Sequence, residues 1–240
     1  MSKSSKAYFQ FKQFGVHQDR CAMKVSTDGV ILGAYSGLGN PNNILEIGTG
    51  TGVVSLMLAQ RFPQAQVTGL EIDYDAWVQA SFNADKSPWG NRIIFKNQSF
   101  QDFYQNENQK FDFIISNPPY YPDHLKSNNQ QRNLALHNDS LTFSDLVEGT
   151  SKLLSKEGDF WVILPFNQMK SLELEAMKVG LIPNHILIVR DNPIKPILRV
   201  VRSFSFAGKE PFSNELFIKD SQNKYSATYA DLLKDFLLIF

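Results

Sequence analysis

The chain has 240 residues, 42% of them hydrophobic and 20% charged, with 24 basic residues set against 24 acidic ones. At roughly 150 residues per domain the length lies between one domain and two, and the ordinary composition excludes wholesale disorder, collagen-like repeats and a coiled coil. A formal net charge of zero excludes a cationic coat over the whole surface, though not a local basic face.

In chain order, the turn cluster Asn40-Pro41-Asn42-Asn43 separates an N-terminal segment from the rest of the chain. Ile44 to Ile47 then predicts a strand, Gly48-Thr49-Gly50-Thr51-Gly52 a glycine loop, and Val53 to Arg61 a helix. The unit repeats with a strand at Val67 to Ile72 and a helix at Tyr74 to Asp85, for which Asp73 is the expected N-cap. Arg92 to Phe95 and Phe111 to Ser116 predict two further strands, the second stopped by Asn117-Pro118-Pro119-Tyr120. Leu141 to Leu154 predicts a helix, Phe160 to Leu164 a strand and Gln168 to Val179 a helix. Ile186 to Val189 and Val200 to Phe206 predict two last strands. Strands alternating with helices imply an α/β fold, a mostly parallel sheet with helices on both faces. Ligands bind such sheets at the carboxyl ends of the strands, where the strand order reverses. Both chemically suggestive loops come directly after strands.

The glycine loop does not fit a dinucleotide site. G-x-G-x-x-G places its third glycine one residue later than Gly52, and no Gly-Lys-Ser/Thr is present. Glycines at 48, 50 and 52 let the backbone approach a nucleoside that carries an amino acid in place of phosphates. Glu46 would repel a pyrophosphate but is able to accept a hydrogen bond from an ammonium, and Glu71 is placed to accept from both hydroxyls of a ribose. The loop resembles the first motif, E/D-x-G-x-G-x-G, of class I methyltransferases that use S-adenosyl-L-methionine. The resemblance implies a Rossmann-like, seven-stranded, mostly parallel sheet whose last strand is antiparallel.

In Asn117-Pro118-Pro119-Tyr120 two prolines hold the backbone extended and rigid. The Asn117 side-chain oxygen and the Pro118 carbonyl are together suited to accept both hydrogens of one planar amino group, which exposes the nitrogen lone pair to a methyl donor. Tyr120 offers a flat face for an extruded base or a planar amide. The motif resembles the N/D-P-P-Y/F/W of amino-directed methyltransferases, whose substrates are adenine N6, cytosine N4 and the glutamine side-chain amide.

The N-terminal stretches Phe11-Lys12-Gln13-Phe14 and Cys21 to Ala34 are similar to those of bacterial methyltransferases acting on adenine N6 beside the anticodon of a valine tRNA, and the similarity runs from about residue 8 to the end. It implies a transferase that methylates N6 of adenosine 37 in tRNA. Asn117, Pro118, Pro119 and Tyr120 would bind the adenine. Glu46, Gly48, Thr49, Gly50, Gly52, Glu71 and Ile72, with Asn117, would bind S-adenosyl-L-methionine, and Thr27 and Asp28 would close over it from the N-terminal side. The family carries an acid after the third strand; here Ser99 is the best match, with Asp102 three residues on. One domain is expected, with residues 1–40 as an extension covering the cofactor site and 41–240 as the catalytic core.

Residues 1–24 and 190–209 are locally basic. Lys12, Arg199 and Arg202, with Lys126 and Arg132 of the polar stretch 121–138, are the candidates to meet tRNA phosphates. Cys21 allows no internal disulfide and is expected to be a small buried residue. No signal peptide, membrane span or zinc-like histidine spacing is apparent, so a cytoplasmic, metal-free monomer is expected. Three alternatives stand beside this reading: methylation of a protein glutamine amide or another RNA or DNA adenine, a tRNA-binding module without turnover, and a nicotinamide-dependent oxidoreductase.

Overall fold

In this computed structural model, which describes residues 7–119, 141–208 and 212–240, the first elements are a short antiparallel pair, β1 (Tyr8–Gln10) and β2 (Gly15–His17). Helix α1 (Thr27–Tyr35) comes next, N-capped by the Ser26 hydroxyl, which accepts from the Gly29 N–H at 3.1 Å. The alternating part then runs β3 (Asn43–Ile47), α2 (Val53–Arg61), β4 (Gln66–Glu71), α3 (Tyr74–Asp85), β5 (Ile93–Asn97), α4 (Phe100–Asn106) and β6 (Phe111–Ser116). Beyond the Asn-Pro-Pro turn come α5 (Phe143–Leu153), β7 (Leu154–Leu164), α6 (Phe166–Lys178), β8 (Ile182–Arg190), β9 (Ile197–Ser205), β10 (Ser213–Phe217) and α7 (Ala227–Leu233). Tyr120, Lys126 and Arg132 lie outside the described residues.

The described strands form the β1–β2 pair and an eight-stranded sheet of order β10-β8-β9-β7-β6-β3-β4-β5. Neighbours from β7 to β5 are parallel. This is the expected α/β class with two corrections to its edge. An eighth strand, β10, extends the sheet beside β8 and parallel to it. The antiparallel strand is therefore β9, between β7 and β8, and is not the last in the chain. β10 escapes the sequence pattern because only Leu216 of its five residues is buried, leaving no alternation to read.

β3 and β6 are buried on both sheet faces, as central parallel strands are. One core lies under α1, α2 and α3, and includes Phe11, Phe14 and Val16 of the N-terminal hairpin. The other lies under α4, α5 and α6. The N-terminal segment is thus packed into the first core, with Phe11 fully buried and stacked on Phe14 at 4.4 Å. Two buried carboxamides of α3 fasten the same segment. Asn83 Oδ1 accepts from the His17 N–H (2.9 Å), Asn83 Nδ2 donates to the Thr51 carbonyl (2.9 Å), and Gln79 Oε1 accepts from the Arg20 and Cys21 N–H groups (2.9 and 3.2 Å).

The chain passes from β3 to β4 and β5 on one side and returns to β6 on the other, so the strand order reverses between β3 and β6. Ile47 pairs with Ser116 at that junction, and the Ser116 hydroxyl donates to the Ile47 carbonyl at 2.9 Å. The glycine loop and Asn117-Pro118-Pro119 leave the sheet side by side.

Candidate active site

The glycine loop turns through three left-handed residues, Gly48 (φ 76°), Gly50 (φ 52°) and Gly52 (φ 79°), a region that L side chains resist. A Cβ on Gly48 or Gly50 would point into open space, whereas one on Gly52 would meet the Phe95 ring at 3.1 Å. The first two glycines therefore leave room for a ligand beside bare backbone, and the third lets α2 pack on the sheet. The loop is tied to β4, where the Gly48 and Thr49 N–H groups donate to the Leu70 carbonyl at 2.9 and 3.0 Å.

Glu71 ends β4 and faces this loop. Its Oε2 accepts from the Gly50 N–H at 2.7 Å and its Oε1 from the Asp73 N–H at 3.0 Å. A carboxylate offers about four lone-pair sites, so each oxygen keeps acceptor capacity for a hydroxyl pair. Asn97 fixes the turn beyond it, donating to the carbonyls of Glu71 (2.9 Å) and Ile72 (3.1 Å). Ile72 stands 62% exposed at this rim, an apolar surface beside a carboxylate. Asp73 caps α3 as expected, accepting from the Ala76 N–H at 2.8 Å.

Glu46 takes a different place from the one its sequence position suggests. Leu45 and Ile47 point to one core while Ile44 and Glu46 share the opposite face, toward α2. Gly52 offers α2 no capping side chain, and Glu46 supplies the missing acceptor. Its Oε2 takes the Ser55 N–H at 3.0 Å and also the Ser55 hydroxyl. At 2% exposure, burial pushes its carboxyl from the ordinary 4.5 up to about 8. The folded protein then holds a proton that the unfolded chain releases, so stability falls as pH rises from about 4.5 through about 8 and is flat above. Glu46→Gln is expected to flatten that fall, and Glu46→Ala to cost about 1–3 kcal/mol at pH 5, because the buried Ser55 N–H loses its acceptor. Urea unfolding of the three proteins at pH 5 and pH 8 checks both.

Asn117 comes directly after β6. Its Oδ1 is buried and has no hydrogen-bond partner among the described residues. A buried amide oxygen left unmatched costs about 1–3 kcal/mol, and such atoms call for a ligand or a water. Pro118 is buried behind it, while Pro119 is exposed.

These elements enclose a cleft of about 260 Å³. Gly48, Gly50, Glu71, Ile72, Ser99, Phe100, Asn117 and Pro119 line it, with Met23 contributed by the N-terminal segment. Of the residues expected from the sequence, Gly48, Gly50, Glu71, Ile72, Ser99, Asn117 and Pro119 line the cleft, beside Met23, Gln98, Phe100, Gln101 and Leu141, which the sequence does not single out. Ser99 sits at the rim as the N-cap of α4 and donates to Asp102 Oδ2 at 2.6 Å. Asp102 is turned to Ser99, and Ser99 is the one in the cleft wall. Thr27 and Asp28 are not in the wall. Asp28 pairs with Arg199 at 2.6 Å, and a Cβ on the next residue, Gly29, would touch Val53 and Val54 at 3.7 Å, so this turn braces the start of α2.

The expected phosphate contacts have partners inside the fold. Lys12 donates to the carbonyls of Lys234 and Phe240, the latter at 2.8 Å. Arg199 pairs with Asp28, and Arg202 with Glu173 at 3.0 Å. Cys21 is buried and its thiol is pushed up to about 11, chiefly by burial, which leaves it protonated and inert at neutral pH. Among the described residues there is no cluster of three or more His, Cys, Asp or Glu able to hold a metal, and no helix long and apolar enough to cross a membrane.

The sequence profile of the methyltransferase small domain matches residues 36–178. The chain is 45% identical over 236 residues to a tRNA1(Val) (adenine(37)-N6)-methyltransferase of Bacteroides fragilis, covering 98% of this chain and 99% of that protein. It is 44% identical over 230 residues to the protein of the same name from Pseudoalteromonas translucida, covering 96% and 98%. Among solved structures it resembles a predicted O-methyltransferase from Agrobacterium tumefaciens, with a TM-score of 0.66 at 16% identity over 87% of this chain and 96% of that one.

Proposed function

Because the chain belongs to the family of tRNA1(Val) (adenine(37)-N6)-methyltransferases, we propose that it transfers a methyl group from S-adenosyl-L-methionine to N6 of adenosine 37 in a valine tRNA, as a cytoplasmic monomer. The observation that carries this reading is the buried, unmatched Oδ1 of Asn117 in the wall of a cleft that a glycine loop and a strand-end carboxylate also line.

Bound S-adenosyl-L-methionine supplies a sulfonium methyl, an electrophile that needs no further activation. The protein's part is to hold both reactants. Gly48 and Gly50 admit the cofactor close to the backbone, and the spare lone pairs of Glu71 take the ribose hydroxyls. Ile72, Ser99 and Phe100, which line the cleft, would hold the flat adenine of the cofactor. Glu46 acts one step away, holding Ser55 and with it the start of α2 under the loop.

The target adenine is an extruded base. Asn117 Oδ1 and the Pro118 carbonyl accept its two N6 hydrogens, which localises the nitrogen lone pair and aims it at the methyl. Methyl transfer from the bound cofactor would form the N–C bond at the expense of its S–C bond, and the extra proton on N6 would leave to water, since neither Asn117 nor the Pro118 carbonyl is a base. Rate then comes from positioning and fixed dipoles. The Asn-Pro-Pro acceptors would serve a glutamine amide equally well, and the near full-length similarity to enzymes named for a tRNA adenine favours the nucleoside.

A transcript of valine tRNA with adenosine at position 37 is expected to take up one methyl. The same transcript with guanosine there is expected to take up none. Equal uptake by both would refute the proposed target.

A further inference from the structure

The sheet edge that carries Asn117 continues past it into a second groove. Ser116 pairs with Val162 between β6 and β7, and Leu164 with Val200 between β7 and β9. Pro165 and Phe166, at the end of β7, therefore stand one strand beyond Pro118 and Pro119, and Leu198 at the start of β9 one strand further. Two strand spacings are about 10 Å. Pro165, Phe166, Asn167, Arg190, Pro196 and Leu198 enclose a groove of about 530 Å³ at this place.

Its chemistry is that of a platform for a base beside a backbone. Phe166 is 39% and Leu198 40% exposed, and Ile194 is 91% exposed on the loop between β8 and β9. That loop is stiffened by Pro193 and Pro196, and Arg190 Nη1 donates to the Lys195 carbonyl at 2.9 Å. Lys170 lies over one face of the Phe166 ring at 4.4 Å, and Lys195 is exposed beside Pro196. Neither lysine has an ion-pair partner among the described residues, and no carboxylate lines the groove. Lys12, Arg199 and Arg202 by contrast hold partners within the fold.

We propose that this groove binds the nucleotide adjoining the target adenine. Its base stacks on the Phe166 ring against Leu198, and its phosphate meets Lys170 and Lys195. Single-stranded nucleic acid is held by this combination of aromatic stacking and cations tracking the backbone, and an extruded adenine needs its neighbour held so that the base stays out of the stack. The inference rests on the tRNA reading of the active site, and makes Phe166 a binding residue for the RNA alone.

The test is steady-state methylation of the valine tRNA transcript by wild type, Phe166→Ala, Phe166→Trp and the double variant Lys170→Ala, Lys195→Ala, with Asn117→Ala as a control for the chemistry. Phe166→Ala is expected to raise KM for tRNA about 10-fold or more while leaving cofactor affinity unchanged, and Phe166→Trp to restore it. The double lysine variant is expected to flatten the dependence of tRNA affinity on salt by a slope of about 1. An unchanged KM in Phe166→Ala, or no recovery in Phe166→Trp, overturns the groove while methylation by the wild type leaves the active-site reading standing. A wild type that methylates no tRNA overturns both.

Discussion

Asn117→Ala is expected to lower methyl transfer to tRNA by about 100- to 1,000-fold, the loss seen when one preorganised polar partner is removed from a reacting centre, with affinity for S-adenosyl-L-methionine unchanged. The reason is geometric. The Asn117 Oδ1 is buried without a partner among the described residues, so deleting that oxygen breaks no hydrogen bond to it and relieves a small desolvation cost. The variant should be as stable as the wild type or slightly more so, a sign opposite to that of an ordinary buried-amide deletion. Loss of turnover together with an unchanged or raised Tm separates a substrate-facing acceptor from a structural one; thermal melting and single-turnover kinetics on the same preparation measure both. A drop of several degrees in Tm with partial turnover would place Asn117 in the framework instead.

Glu71→Ala is expected to weaken binding of S-adenosyl-L-methionine by roughly 100-fold, since hydrogen bonds to a charged group are worth about 1.5–3 kcal/mol and each 1.4 kcal/mol is tenfold in affinity. Turnover at saturating cofactor should fall far less, because Glu71 ends β4, two strands away from β6, which Asn117 follows. The two variants thus divide the cleft, one acting on the cofactor constant and the other on the chemical step. The fold tolerates the change because Glu71 caps only the Gly50 and Asp73 N–H groups at the surface and Asn97 continues to hold the turn through two carbonyls. Isothermal titration with the cofactor and with its demethylated product checks it.

Legibility in the sequence depends on how local each signal is. Helices α2 and α3 have the bounds their apolar spacing predicts, and the loops after β3 and β6 stand out because glycine and proline act on their own backbone. Short elements escape. The three-residue strands β1 and β2 and the seven-residue α4 are too brief to show a period. Glu46 lies at the strand end that the sequence indicates but has a different neighbour, because its partner Ser55 is supplied by the helix packed on that face. The alternation of Ile44 and Glu46 against Leu45 and Ile47 is the available signal. Met23, Phe100 and Leu141 reach the cleft from distant parts of the chain, which no spacing encodes. The basic segments show the same blindness. Charge is countable in a sequence, whereas the pairing of Arg199 with Asp28 across 171 residues is not.

The most direct test of the central claim is nucleoside analysis of tRNA after reaction with isotopically labelled S-adenosyl-L-methionine and the wild-type protein. The account predicts label recovered as N6-methyladenosine from position 37 of valine tRNA. Label absent from tRNA adenosine and recovered instead on a glutamine amide of a protein, with the cofactor still bound, would contradict it.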